Sequence, residues 1–263
     1  MTAAEDWANA LDSWRIPEEI LAGSDESPWT LPPKAFAEAA RRALAQPPSP
    51  THRRALEALP QGGTVLDVGS GAGAASLPLA SRAKLILAVD QNPAMLDEMR
   101  AMGRLGPEVL TVRGTWPECF DQVQDADVAV CANVAYNVRA LGPFVLALSQ
   151  RSRKRVVLEL TERHPQSPLN RLWLHFWNLE RPTRPTAQDA ARVIAEALGE
   201  EARSEHWTRA EQGTTELDAE RVAWLRRRLC LPPSREPEVE SYIGHSAPEP
   251  PAQMVTLWWP GRA

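Results

Sequence analysis

The chain has 263 residues, 43% of them hydrophobic, and a formal net charge of −5 from 29 basic and 34 acidic side chains. This length and composition allow one large domain with a substantial core, and they exclude a chain that is disordered over most of its length. The acidic balance argues against the general attraction to phosphate backbones that nucleic-acid-binding proteins have.

Cysteine usage and hydropathy bear on the compartment. No CxxC pair occurs among Cys119, Cys131 and Cys230, so the sequence predicts neither a disulfide framework nor a metal site. The first residues, MTAAEDWANALDSW, are acidic and amphipathic, unlike a signal peptide, and no run of about 18 apolar residues occurs. We therefore expect a cytoplasmic protein without a membrane-spanning segment.

Residues 1–60 have helical patterns, with a break at 27–33 (SPWTLPP), where prolines interrupt the apolar spacing. In PKAFAEAARRALAQ, apolar residues recur at helical spacing, at Phe36, Ala39, Ala40, Ala43 and Leu44. We expect 1–60 to form a helical cap on a larger domain that spans 61–263.

From residue 64 onward, short apolar runs alternate with helical patterns, which is typical of βαβ units in a parallel sheet. The expected strands are 64–68, 85–89, 109–112, 127–132 and 155–160, with two more near 205–209 and 254–260. The expected helices are roughly 74–82, 93–102, 139–150 and 187–198. The pattern therefore predicts an α/β domain.

Two insertions, 164–186 and 215–250, interrupt this alternation and are expected to be lids. The first carries an aromatic stripe at helical spacing, made of Leu169, Leu172, Trp173, Phe176 and Trp177. Such a stripe lies more often in a core or a homodimer interface than in a pocket; as a pocket wall, Trp173 and Trp177 would contact an apolar or aromatic substrate. Arg181 and Arg184 could bind a substrate carboxylate or phosphate, or could pair with nearby acids.

A glycine-rich turn follows the first expected strand, in the stretch TVLDVGSGAGAASLPLA (64–80). Gly69, Gly71 and Gly73 would let a ligand approach the backbone closely, and a following helix would favour an anionic group. Asp90 lies 21 residues after Gly69, where its carboxylate could accept hydrogen bonds from both hydroxyls of a ribose. The turn therefore predicts a nucleoside-containing ligand.

Two classes of cofactor fit this turn. Gly69-x-Gly71-x-x-Ala74 also satisfies the fingerprint of NAD and FAD sites. Asp67 favours the other class, because a carboxylate at that place would attract an ammonium group and would repel a pyrophosphate.

The segments VLDVGSGAG and AVDQNPAML resemble the first two motifs of class I S-adenosylmethionine-dependent methyltransferases, and the resemblance covers about residues 60–160. It implies a Rossmann-like, mostly parallel seven-stranded sheet with an antiparallel last strand and helices on both faces. It further implies S-adenosylmethionine as cofactor, with the ribose on Asp90. The other implied contacts are Asp67, Gly69, Ser70, Gly71 and Gly73 for the methionine part and Gln91, Met95, Thr115 and Trp116 for the adenine part. Thr115 departs from the acidic residue usual at its position.

The turn after the fourth expected strand, CANVAYNV (131–138), should face the transferred methyl group. Asn133 and Tyr136 resemble the N-x-x-Y motif of enzymes that methylate an exocyclic amine, and ANVAYN is similar to ANLPYN of ribosomal RNA adenine dimethyltransferases. Ala135 replaces the proline of that motif. In the alternative interpretation, Asn133 shapes the turn and contacts the cofactor, while Tyr136 lines the pocket.

The expected function is methyl transfer to a small-molecule acceptor. Candidate bases are Glu159, Glu162 and His164 after the fifth strand, and His175 in the insertion. The alternatives are RNA adenine methylation, a nicotinamide oxidoreductase, and a protein that binds S-adenosylmethionine without catalysis.

Overall fold

The computed structural model describes residues 2–24, 26–29, 33–102, 106–209, 218–246 and 250–263. Its centre is a seven-stranded sheet with β1 (Gly63–Val68), β2 (Ala83–Asp90), β3 (Glu108–Arg113), β4 (Ala126–Ala132), β5 (Ser152–Thr161), β6 (Arg203–Thr208) and β7 (Gln253–Pro260). The strand order is β3-β2-β1-β4-β5-β7-β6. The first five strands pair in parallel, and β7 is antiparallel to both β5 and β6. The expected α/β, Rossmann-like fold is confirmed.

The strand order determines where a ligand can bind. The chain builds outward from β1 in one direction through β2 and β3, and in the other through β4 and β5. The crossover connections therefore diverge between β1 and β4, and a crevice opens beyond the carboxyl ends of these two strands. Both are almost wholly buried, as central strands covered on both faces are.

Helices cover both faces of the sheet. They are α1 (Ala3–Asp12), α2 (Glu18–Ala22), α3 (Pro33–Ala45), α4 (Pro50–Ala58), α5 (Pro93–Met102), α6 (Leu141–Gln150), α7 (Asn170–Trp177), α8 (Ala187–Leu198), α9 (Ala219–Arg228) and α10 (Glu236–Gly244). One core cluster joins the sheet to α1, α6 and α8, and the other joins it to α4 and α5.

The N-terminal helices belong to both faces. The fully buried Trp7 of α1 donates its indole N–H to the carbonyl of Val138 at 2.8 Å. On the opposite face, α4 packs against β5 and β4 through Ala55 and Leu59. The predicted break at 27–33 lies between α2 and α3, and residues 30–32 of it are outside the described ranges.

The helix expected at 74–82 is wrong. The structure has only a short 3-10 turn there, Leu77–Leu79. Pro78 lacks the N–H that an α-helix needs and disfavours helical geometry at the preceding residue. Gly73 adds a left-handed backbone conformation, with φ of 91°, just before the segment.

The two insertions meet in a third hydrophobic cluster. Helices α7, α9 and α10 pack there with Ile16 of the N-terminal segment. Of the aromatic stripe, Trp173 and Phe176 are buried in this cluster, so the stripe belongs to the core of the chain. Residues 215–217 and 247–249 of the second insertion lie outside the described ranges.

Candidate functional site

The glycine turn after β1 has a backbone that a side chain would obstruct. Gly69 has φ of 68°, and a Cβ built on it would lie 2.3 Å from Cγ2 of Val134. The amides of Gly69 and Ser70 both donate to the carbonyl of Val89, at 2.8 and 3.0 Å. These bonds hold the turn against the end of β2, beneath the crevice.

Asp90 ends β2 beside this turn, as the spacing predicts. Its two carboxylate oxygens accept hydrogen bonds from the amides of Gly71 at 2.9 Å and Asn92 at 2.8 Å. Two backbone donors thus orient the carboxylate, and each oxygen keeps capacity for a further donor. The arrangement can accept both hydroxyls of a ribose.

Asp67 is fully buried under the same turn. Its Oδ2 accepts a hydrogen bond from the hydroxyl of Ser76 at 2.5 Å, whereas its Oδ1 has no partner among the described residues. Burial, with the nearby charge of Asp90 adding to it, raises the pKa of Asp67 to about 7. The Ser70 hydroxyl is likewise buried without a described partner. Such groups need a ligand or water to satisfy them, and the ammonium and carboxylate of a methionine moiety would suit them.

The four side chains expected near adenine divide into two pairs. Gln91 and Thr115 are exposed at the ends of β2 and β3. Met95 and Trp116 are buried, and the indole N–H of Trp116 donates to the carbonyl of Phe144 at 3.3 Å. The exposed pair is therefore accessible to a ligand, whereas the indole of Trp116 packs in the core.

Asn133 follows β4 in a left-handed conformation, with φ of 60°, and its side chain meets Glu159 of β5. Its amide Nδ2 donates to Glu159 Oε1 at 3.2 Å. Arg209, directly after β6, donates to the same carboxylate oxygen at 2.9 Å and to Asn133 Oδ1 at 3.3 Å. Thr51 of α4 donates to Glu159 Oε2 at 2.6 Å. Three donors thus hold the Glu159 carboxylate at the edge of the crevice.

Sequence reasoning found Asn133 and Glu159 but missed Thr51 and Arg209. No recognisable motif surrounds either residue. Thr51 lies inside α4, and Arg209 follows the edge strand β6. Only the fold brings these four side chains together.

Tyr136 and His164 lie in the core rather than in this group of four. The Tyr136 hydroxyl donates to the carbonyl of Thr161 at 2.8 Å, and its ring stacks on Trp7 at 5.6 Å between centroids. His164 stacks on Trp14 at 3.9 Å. Burial, helped by the charge of Arg181, lowers the pKa of His164 to about 4, so its ring is neutral at neutral pH.

Glu162 and His175 are both exposed. Glu162 Oε1 lies 3.8 Å from His206 Nδ1. The ring of His175 packs on Tyr242 at 4.3 Å, away from the crevice in the third cluster.

The residues proposed for a substrate at the first insertion have partners within the chain. Trp173 is buried, and the indole N–H of Trp177 donates to the carbonyl of Leu229 at 2.7 Å. Arg181 donates to the carbonyls of Trp14 and Arg15. Arg184 pairs with the buried Asp189, which accounts for it without a ligand.

The described ranges contain no group of three or more His, Cys, Asp or Glu side chains placed to hold a metal ion. None of their helices is long and apolar enough to cross a membrane.

Comparison with known proteins bears on the glycine turn and what surrounds it. Residues 65–150 match a family model described as a methyltransferase domain. An uncharacterized protein of Haemophilus influenzae is 34% identical over 103 residues, 38% of each chain. A probable ribosomal RNA small subunit methyltransferase A of Pyrobaculum aerophilum is 29% identical over 105 residues, 38% of this chain and 45% of that protein. The chain thus matches less than half the length of these curated relatives.

Among solved structures, the YcgJ protein from Bacillus subtilis is similar with a TM-score of 0.53 and 14% identity, over 85% of this chain and 99% of that one. At this identity the likeness shows the fold alone. The family match contains the glycine turn, Asp90 and the turn after β4. Residues 65–150 therefore form a methyltransferase domain, as the resemblance to class I S-adenosylmethionine-dependent methyltransferases predicts.

Members of this methyltransferase family bind S-adenosylmethionine, and the buried groups of Asp67 and Ser70, which have no partner in the part of the chain that the structure describes, fit its methionine part. The family expected from the sequence is confirmed, and the match does not favour a nicotinamide oxidoreductase. Asn133 directly follows β4 and Glu159 lies near the end of β5, so both side chains are at the carboxyl ends of these strands.

Proposed function

We propose that this methyltransferase transfers a methyl group from S-adenosylmethionine to a small molecule that enters beside Asn133 and Glu159. The observation that carries the proposal is the orphaned Oδ1 of Asp67 beneath a glycine turn whose neighbouring carboxylate, Asp90, is oriented by two backbone amides. One end of the site suits an ammonium group and the other a ribose diol.

The main task of the protein in this reaction is to align the acceptor atom with the methyl group. The bound cofactor supplies an electrophilic sulfonium methyl group, so holding an acceptor atom in line at about 3 to 3.5 Å would account for most of the rate. Asn133 and Glu159 stand at the carboxyl ends of the strands where that atom would lie. Because Arg209, Thr51 and Asn133 all donate to the Glu159 carboxylate, we assign Glu159 to orienting the acceptor's N–H or O–H group.

A small molecule is favoured over RNA by the surroundings of Tyr136. Its ring is stacked on Trp7 and its hydroxyl is bonded to the backbone, so it is not free to stack on an adenine. The net charge of −5 also disfavours a large polyanion. A cytoplasmic location, which the sequence predicts, stays a prediction, and the homodimer stays one of the alternatives that the sequence leaves open.

Calorimetric titration tests the cofactor assignment. We expect purified protein to bind S-adenosylmethionine and its demethylated product but not NADH. Asp90→Ala should weaken both affinities by about tenfold or more, because two ribose hydroxyls lose a charged acceptor. The matched control is Asp97→Ala, which removes an exposed aspartate of the adjacent helix α5 and should leave binding unchanged.

Binding of NADH alone would overturn the proposal. Binding of S-adenosylmethionine without any consumption of its methyl group across a broad acceptor panel would favour the non-catalytic alternative.

A further inference from the structure

The carbonyl of Ala74 lies where the chain leaves the glycine turn, at the start of the segment in which the expected helix does not form. The carbonyl of Gly73, one residue earlier, accepts a hydrogen bond from the amide of Leu77, four residues on, at 2.9 Å. The equivalent donor for Ala74 would be residue 78, which is Pro78 and has no N–H group. The Ala74 carbonyl therefore lacks the donor that a helix would provide.

The ring of His52 in α4 takes the place of this missing donor. Its Nε2 lies 3.0 Å from the Ala74 carbonyl oxygen, and the side chain is buried. Its Nδ1 accepts a hydrogen bond from the amide of Ser49 at 3.1 Å, which closes the capping box at the start of α4. Because a carbonyl only accepts and an amide N–H only donates, both contacts require the neutral ring with its proton on Nε2. Burial lowers the pKa of His52 below its ordinary value of 6.5, which favours this neutral form.

The segment that begins at Ala74 also orients Asp67. Ser76, two residues after Ala74, donates its hydroxyl to Oδ2 of Asp67, the fully buried carboxylate beneath the glycine turn. On the other side of Ala74, the amide of Gly73 donates to the carbonyl of Ser70 at 2.8 Å and closes the turn. Ala74 thus lies between the turn and the serine that bonds to Asp67, so a donor that holds its carbonyl restrains both.

We propose that His52 is a positioning residue for S-adenosylmethionine, because it supplies the N–H group that Pro78 lacks and so holds the glycine turn and the Ser76 contact of Asp67 in place. The helical cap over residues 1–60 then contributes to the cofactor site, although the family match begins at residue 65. This inference rests on S-adenosylmethionine as the cofactor and not on which acceptor is methylated.

Two substitutions of His52 separate the bond to Ala74 from the bulk of the side chain. His52→Gln keeps an N–H donor that can reach the carbonyl, whereas His52→Met has a similar length and no donor. We expect His52→Met to weaken S-adenosylmethionine binding by about tenfold in calorimetry, because the Ala74 carbonyl is left without its donor. His52→Gln should stay within about threefold of the native affinity. Urea denaturation of each variant separates lost affinity from lost folding.

Pro78→Ala provides a second test of the same bond. Introduced into His52→Met, it restores an N–H group four residues after Ala74 and should recover part of the lost affinity. Arg54→Ala is the matched control, because it removes ion pairs of α4 with Glu57 and Glu205, and none of the described contacts of Arg54 reaches the turn. It should leave cofactor affinity unchanged even where it loosens α4.

Equal affinities of the glutamine and methionine variants would overturn the proposal, as would a loss in Arg54→Ala as large as that in His52→Met. No recovery with Pro78→Ala would show that His52 does not replace the donor missing at residue 78. Failure of the native chain to bind S-adenosylmethionine would refute the proposed function together with this inference. Native binding with equal affinities of the two His52 variants would refute this inference alone.

Discussion

The hydroxyl of Thr51 in α4 donates a hydrogen bond to Glu159 Oε2 in β5 at 2.6 Å, which joins the N-terminal helices to the place proposed for the acceptor. The same hydroxyl lies 2.8 Å from that of Thr256 in β7, which in turn accepts from the indole of Trp207 in β6. The N-terminal segment therefore contributes directly to the site.

Thr51→Val tests this link. The substitution keeps the shape of a buried side chain but leaves Glu159 with one donor fewer, so we expect a loss of about 1 to 3 kcal/mol in the free energy of unfolding. Urea denaturation measures it. Thr208→Val, at an exposed threonine of β6, should cost less than about 0.5 kcal/mol. Equal costs for the two variants would show that the Thr51 bond contributes nothing specific.

Gly69→Ala should abolish cofactor binding. The added Cβ would lie 2.3 Å from Val134 Cγ2 and must displace the turn. Gly62→Ala provides the control, because Gly62 has nearly the same φ, 69°, but nothing within 4 Å of its Cβ position. We expect both variants to lose about 1 kcal/mol through backbone strain, and only Gly69→Ala to lose S-adenosylmethionine binding in calorimetry.

Val134→Ala in the Gly69→Ala background should restore part of that binding, since it removes the methyl group that the new Cβ meets. If the single and double variants bind equally poorly, the close approach to Val134 is not the cause.

Asp67→Asn should stabilise the protein at alkaline pH and remove cofactor binding. The pKa of Asp67 is about 7 in the folded chain against 3.8 as its ordinary value. The folded chain therefore keeps a proton that the unfolded chain loses, and stability falls as pH rises from about 4 to 7. At pH 8 the free energy of unfolding of the Asp67→Asn variant should exceed that of the native chain by roughly 2 to 4 kcal/mol. Denaturation at pH 5 and pH 8 checks this, and an advantage that does not grow with pH would contradict it.

His164→Phe should improve stability in acid. The pKa of His164 falls from its ordinary value of 6.5 to about 4 on folding. Between these two values, the unfolded chain binds a proton at His164 that the folded chain does not bind. The stability that His164 contributes is complete above pH 6.5 and is lost as pH falls toward 4. Phenylalanine can keep the stacking on Trp14 and does not titrate. Relative to the native chain, we expect the variant to gain roughly 2 kcal/mol between pH 7 and pH 4.5, measured by thermal unfolding. Parallel curves would refute the assignment.

The secondary-structure elements that depend on the local sequence pattern could be predicted from the sequence. Helices α5 and α8 have the expected bounds, because each is long enough for its apolar spacing to show, and α8 begins at a capping box that Thr186 and Asp189 form. The segment 74–82 was not predictable from spacing alone, since Pro78 overrides an otherwise suitable apolar pattern.

The site was predictable only where residues share a motif. Asp67, Asp90 and the glycines lie on two neighbouring parallel strands, β1 and β2, and in the short connection between them, so their proximity follows from chain connectivity. Thr51 and Arg209 come from elements 158 residues apart and reach Glu159 through tertiary packing, about which the sequence carries no local signal. Tyr136 shows the opposite case. Its spacing from Asn133 resembles a catalytic motif, but in the structure its ring packs on Trp7 and its hydroxyl donates to the carbonyl of Thr161.

The excursion between β6 and β7 leaves and re-enters the sheet at one point, where the amide of Arg209 donates to the carbonyl of Ala252 at 3.0 Å. By that criterion alone, it could be exchanged between proteins as a module. Its helices α9 and α10, however, share their hydrophobic cluster with α7 and with Ile16. Removing this excursion would therefore expose apolar surface on α7 and around Ile16. A change of side-chain size in this cluster must therefore be accommodated by three separate stretches of chain together.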